Sequence, residues 1–329
     1  ERTHTTDASG RQWRFLFDGR GYPAGFVDPS GKTQQEVRSA KGDVVTRVLR
    51  SGRRIDLTYD SAQRLLTETW LGSPAQTTTY TWDPSGRLVA ATTVAEDSVA
   101  DTALALTYTP SGRPETVTTT ALGESESVTY GYDLAGRITS LVDSRGGVTS
   151  YAYDSVSRLT RVSQTGSGVL PKAVTWTYGL DDRPTRLDRW ADAAASTPAG
   201  ATTLSYDGHL LSRLHHLDAA GATIEDLTFG RADDGSITSL EDSTGAAALT
   251  RDGLGRLLTV VRGPGSSLPN EAFAWDAVGN RLVSGWSYAG DRLLGDGTFT
   301  YAYDDAGTVT SRTRTSDGER LELGTDHNG

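Results

Sequence analysis

The chain has 329 residues, a formal net charge of −10 and neither cysteine nor methionine. The acidic balance argues against a nucleic-acid-binding module, which carries a basic face. Without cysteine there is no disulfide and no thiolate ligand, and no apolar run approaches the roughly 18 residues of a membrane-spanning helix.

Residues 1–50 are the least regular part, read as two or three hairpins. Arg14-Phe15-Leu16-Phe17-Asp18-Gly19-Arg20 carries strand and then turn chemistry, and Val27-Asp28-Pro29-Ser30-Gly31-Lys32 repeats the turn. From residue 51 to 311 one phrase returns in frame: an aromatic residue, Asp, two residues, Gly, Arg and an apolar residue. Tyr59-Asp60 leads to Arg64, and Trp82-Asp83 to Gly86-Arg87. Tyr132-Asp133 leads to Gly136-Arg137, and Tyr153-Asp154 to Arg158. Looser copies follow Tyr108, Tyr178, Tyr206, Phe229 and Asp252. Trp275-Asp276 leads to Gly279 and, one residue later than elsewhere, Arg281; Tyr303-Asp304 leads to Gly307. The anchors recur about every 24 residues, a period that marks repeat architectures. Insertions rich in Gly, Ser, Ala and Pro at 163–172, 191–200 and 264–269 fall between copies, on the side opposite the aromatic-Asp turns. Residues 95–103 read as a longer loop or hairpin tip. Residues 312–329 read as a last hairpin about Asp317-Gly318 and a truncated end. The whole, 1–329, reads as a single array.

Each copy reads as a β-hairpin. Tyr80 and Trp82, Tyr130 and Tyr132, Tyr151 and Tyr153 lie two apart and share one face of a strand. The Asp opens a turn by accepting from backbone N–H groups just ahead of it. The Gly takes the positive φ that a type I turn with a following bulge requires. The Arg has two readings: a cation array for anionic ligands, or a guanidinium stacked on a neighbouring ring or paired with a neighbouring Asp. Its tie to a turn motif favours the second. About twelve two-stranded copies make some 24 strands, more than an open twisted sheet holds without curling. The fold class is therefore all-β, a long curved antiparallel sheet forming a spiral or shell.

No catalytic, cofactor or metal site is predicted. Among His4, His209, His215, His216 and His327 only His215 and His216 adjoin, and neighbours on a strand point to opposite faces. There is no Gly-x-Ser-x-Gly elbow, no phosphate-binding Walker loop and no EF-hand pattern.

The Tyr-Asp-x-x-Gly-Arg-Leu phrase, from about Phe17 to Val309, resembles the YD repeat of the RHS family. That family includes bacterial RHS polymorphic toxins, the BC component of Tc toxin complexes, wall-associated RHS proteins and teneurins. The resemblance implies a hairpin strip wound into a hollow shell, which in bacterial members encloses a C-terminal toxin domain. Family shells generally use more repeats, and their terminal self-cleavage core is not recognisable before Gly329. The expected role is a non-enzymatic segment of such a shell, encapsulating or scaffolding a secreted or surface-exposed effector. Its partners would be the rest of a longer RHS chain or its toxin cargo. No nucleic acid and no membrane span is expected; the location would be secreted or at a bacterial cell surface. The alternative is an extracellular adhesion or carbohydrate-binding module, for which several of Trp70, Trp190 and Trp286 would be solvent-exposed on one face. The absence of Met predicts a fragment, a processed product or a chain lacking only its first residue, and the polar start at Glu1 places any secretion signal upstream.

Overall fold

The computed structural model describes residues 3–6, 10–72, 75–96, 101–264, 266–289, 292–304 and 307–323. Asp305 and Ala306 of the last copy, His327, residues 97–100 of the long loop and Gly324–Gly329 lie outside them.

Among the described residues every helix or strand is a strand. They run from His4–Thr6 to Glu271–Ala272 in one 24-stranded antiparallel sheet, and from Trp286–Ala289 to Arg320–Glu322 in a second sheet of five. Pairing follows the chain: Arg54–Tyr59 pairs Leu65–Leu71, then Gln76–Trp82, then Leu88–Ala95. A bulge recurs immediately before the aromatic, between Thr58 and Tyr59 and between Thr81 and Trp82, so that Tyr59 faces Leu65 and Trp82 faces Leu88. The extra residue lies on the return strand, Leu66 in the first case and Val89 in the second.

The chain divides into two compact units: residues 1–106, 119–125 and 274–329, and residues 107–118 and 126–273. The long sheet stops where the third insertion interrupts the ladder. Glu271–Ala272 pairs only Thr259 and Val260, and the Arg262 N–H donates to the Asn270 side chain instead of a strand. Pro264 and Pro269 offer no N–H to continue it. The following copy is reduced to a bridge between Trp275 and Arg281.

The two faces of a strand differ as the alternation predicts. Tyr80 and Trp82 are half-buried with Thr81 exposed between them, and Tyr151 and Tyr153 flank exposed Ala152 in the same way. The other face carries hydroxyl pairs such as Thr58–Thr67 and Thr250–Thr259, each 2.6 Å. Only Ile55, Ala95, Ala173 and Ala201 are buried apolar residues among those described.

Candidate functional site

The site is the repeated turn itself. In the Asp83 copy, Oδ1 accepts from the backbone N–H of Ser85 at 2.8 Å and of Arg87 at 2.9 Å, while Oδ2 takes the Arg87 Nε–H at 2.7 Å. The backbone closes the same ring, Asp83 N–H to Arg87 C=O at 2.9 Å and Gly86 N–H to Asp83 C=O at 3.0 Å. Asp60 with Arg64, Asp154 with Arg158 and Asp252 with Arg256 repeat all three carboxylate bonds. Asp133 with Arg137 makes the two to Arg at 3.0 and 2.7 Å. Gly86, Gly136, Gly279 and Gly307 have φ of 81°, 83°, 95° and 95°; Gln63 and Ser157 hold the same place at 62° and 72°.

These bonds hold the carboxyls below the usual range. For Asp60, Asp83, Asp133 and Asp252 the largest cause is the backbone N–H of the Arg, assisted by its side chain. For Asp154 lost hydration is the largest influence and pushes upward, but the bonds and charge of Arg158 and the Val156 N–H together bring it down.

Each Arg then reaches the next copy. The guanidinium of Arg64 lies 5.9 Å from the Trp82 ring centre, that of Arg137 4.7 Å from Tyr153, and that of Arg158 4.7 Å from Tyr178. Arg64 Nη1 also donates to the Asp83 carbonyl at 3.1 Å, and Arg137 Nη1 to that of Asp154 at 3.3 Å. The Arg therefore both pairs with its own Asp and stacks on its neighbour's ring.

A second link runs backward and was not read from the sequence. The aromatic tip of one copy donates to the backbone carbonyl of the residue that faces the previous copy's aromatic. Tyr59 Oη reaches Val44 at 2.8 Å, Trp82 Nε1 reaches Leu65 at 2.8 Å and Tyr132 Oη reaches Pro114 at 2.7 Å. Tyr153 reaches Ile138, Tyr178 reaches Leu159 and Tyr206 reaches Pro184 at 2.7–2.9 Å. In two copies without an aromatic an Arg substitutes, while Arg251 in the same place donates to Gly255 of its own turn. Arg38 Nε donates to Pro23 at 3.4 Å, and Arg231 Nη2 to Leu211 at 3.0 Å. The register puts Arg231, not Phe229, in the aromatic's place, since Arg231 faces Ile237. The only signal for this link was the preference for Tyr and Trp, which have donors, over Phe.

The last two copies depart from the pattern. Asn280 fills the Arg position, its Nδ2 donating to Asp276 Oδ2 at 2.7 Å; Arg281 faces Trp275 instead, with its guanidinium 5.9 Å from the Trp286 ring. Asp304 accepts from the Thr308 N–H at 2.8 Å, without an Arg. The backward link continues through both, Tyr288 to Arg281 at 2.9 Å and Tyr303 to Leu293 at 2.7 Å.

Trp70, Trp190 and Trp286 are half-buried rather than exposed. Trp70 donates to Glu68 at 2.6 Å under the Arg53 guanidinium, and Trp190 to Thr175 at 3.0 Å. His215 faces Thr203 and His216 faces Thr202 on the same strand, so their side chains leave from opposite faces. Among the described residues no group of three or more His, Cys, Asp or Glu is arranged to hold a metal ion. No helix among them is long and apolar enough to cross a membrane.

The sequence matches the family RHS Repeat over residues 108–148 and 132–169. No curated protein matches it. Several solved structures share its fold. A crystal structure of TcdB2-TccC3 without hypervariable C-terminal region gives a TM-score of 0.73 at 13% identity, covering 96% of this chain and 21% of that one. TcdB2-TccC3-Cdc42 gives 0.71 at 13% identity, again covering 96% and 21%. The Photorhabdus luminescens Tc holotoxin pore gives 0.52 at 14% identity, covering 97% and 18%. The chain thus spans about a fifth of the length of the structures it resembles.

Proposed function

Because the chain carries RHS repeats and shares its fold with Tc toxin structures, we propose that it is a stretch of RHS shell wall, a non-enzymatic scaffold that encloses a secreted or surface-exposed effector such as a toxin domain. The observation that supports this reading is the chain's surface. It leaves 19715 Å² accessible for a mass of 35.1 kDa, where a monomer folded around its own core exposes about 13,000 Å². Sheet one layer thick, with half-buried aromatics on one face and hydroxyls on the other, suits a wall that separates two compartments. A cleft enzyme would instead gather titratable groups in a deep pocket, whereas the acidic residues of the repeats are engaged in turns. The partners in this reading are the remainder of a longer RHS chain and its cargo, and the setting is secretion from a bacterium.

Small-angle scattering or electron microscopy of the purified chain tests it. A hollow or strongly curved particle is the expected result. A long straight rod would remove the basis for enclosure.

A further inference from the structure

Asp-Gly steps stand at Asp18, Asp207, Asp234, Asp252, Asp296 and Asp317. Such a step can rearrange unaided. The glycine nitrogen, unhindered by a side chain on its own residue, bonds to the Asp Cγ and gives up its proton, and the carboxyl hydroxyl leaves with that proton as water. Water then opens the cyclic imide at either carbonyl. The product is Asp again or isoaspartate, whose main chain is longer by one methylene. Ring closure requires a side chain free to turn back onto the next nitrogen.

All of these carboxylates but one are held elsewhere. Asp18 accepts from the Arg20 and Tyr22 N–H groups at 2.8 and 3.0 Å and from Arg20 Nη2 at 3.1 Å. Asp234 accepts from the Ser236 N–H at 2.9 Å, and Asp252 makes the bonds of the repeat turn. Asp296 accepts from the Thr298 and Phe299 N–H groups and the Tyr301 hydroxyl at 2.8, 2.6 and 2.7 Å. Asp317 accepts from the Glu319 N–H at 3.0 Å and Arg314 Nη1 at 2.9 Å. The Arg256 N–H at Asp252, the Tyr301 hydroxyl at Asp296 and the Glu319 N–H at Asp317 are the largest causes holding those carboxyls below the usual range. The neutral acid that loses water is correspondingly scarce there.

Asp207 differs. It ends the strand Pro198–Asp207 and faces Leu210 across the loop Gly208-His209, and all three residues from Asp207 to His209 are exposed. Four places on, where the repeat has its Arg, stands Leu211. Arg183 reaches the Gly208 carbonyl instead, and among the described residues none donates to the Asp207 carboxylate or pairs with it. Gly208 has φ 55°, and a Cβ there would meet nothing within 4 Å. No carbonyl among the described residues takes the Gly208 N–H, whereas Gly235 and Gly318 donate theirs to Ala232 and Arg314, each at 2.9 Å.

We propose that Asp207 is a site of spontaneous isoaspartate formation in the folded chain, reacting ahead of every other Asp-Gly step. The added methylene falls between Tyr206, whose hydroxyl donates to the Pro184 carbonyl, and Gly208, whose carbonyl accepts from Arg183. Both links to the preceding copy therefore loosen together, and this hairpin ages before its neighbours. The inference is independent of the shell reading, since it rests on one turn.

The test incubates the whole chain, folded and in parallel in concentrated urea, in heavy-oxygen water. Digestion and electron-transfer fragmentation then locate isoaspartate, and an incorporated heavy oxygen marks each step that passed through the imide. In urea the Asp-Gly steps should react at similar rates. In the folded chain Asp207 should lead each of the others by about tenfold or more, the cost of breaking a charge-assisted hydrogen bond before the ring can close. Asn328-Gly329, outside the described residues, is told apart by the mass gained on deamidation. A different step leading in the folded chain would overturn the proposal. So would an equal lead of Asp207 in urea, or no isoaspartate at Asp207 once the unfolded chain is half converted.

Discussion

The Asp of each turn organises its neighbours because one carboxylate meets backbone donors and an Arg at once. Since Asp60, Asp83, Asp133, Asp154 and Asp252 are all held low when folded, the stability they contribute is present above the unfolded carboxyl range and lost as pH falls through the folded values. Melting temperature should stay level from neutral pH to about pH 5 and drop below about pH 4. Asp154→Asn should flatten that drop, and a profile identical to the parent's would refute the assignment. The glycines differ in what surrounds them. A Cβ on Gly136 would run into the Arg113 guanidinium, while one on Gly86 would meet nothing within 4 Å. Gly136→Val should therefore lower stability by about 2–3 kcal/mol, and Gly86→Val by about 1–2, the strain of positive φ alone; chemical denaturation compares them. The turn was legible in the sequence because Asp and Gly act on backbone within four residues. Asn280 was not, because an amide fills the Arg position with the same donor geometry while the more conspicuous Arg281 stands beside it.

At the scale of the hairpin, the backward donors add to the forward reach of the Arg in coupling neighbours. Tyr153→Phe and Tyr178→Phe each delete one bond to a carbonyl and should cost about 0.5–1.5 kcal/mol. Arg231→Ala should cost a similar amount, and Arg231→Tyr should restore it, because the ring would return to the position its register assigns. Loss of stability in both Arg231 variants would show that Arg231 does something a tyrosine cannot. These links escaped the sequence because their acceptors are backbone carbonyls, which carry no residue identity: Val44, Leu65, Pro114 and Ile138 serve alike. The end of the long sheet was partly legible. Pro264 and Pro269 marked an insertion, but the handing of the Arg262 N–H to Asn270, which ends the ladder there, depends on a loop conformation that spacing does not set.

Among the described residues the main strand-to-strand contacts run between successive strands, and the chain divides into two compact units. Repeat arrays of this kind unfold by nearest-neighbour terms and lose all-or-none behaviour as they lengthen. Denaturation of the 329-residue chain should accordingly show more than one transition, with Gly136→Val shifting one and Gly86→Val another, because the two glycines lie in different units. A single transition moved equally by both would mean that the units unfold together.

The backward direction of the aromatic donors gives the array an order in time. Synthesis delivers a repeat of about 24 residues in a second or more, whereas a hairpin closes in microseconds. Each hairpin therefore forms on the ribosome with its carbonyl acceptor still unanswered, and Tyr153 completes the hairpin of Tyr132 only when the next repeat emerges. Growth from the N-terminus meets these acceptors in sequence, so a nascent wall is finished one repeat behind its growing end.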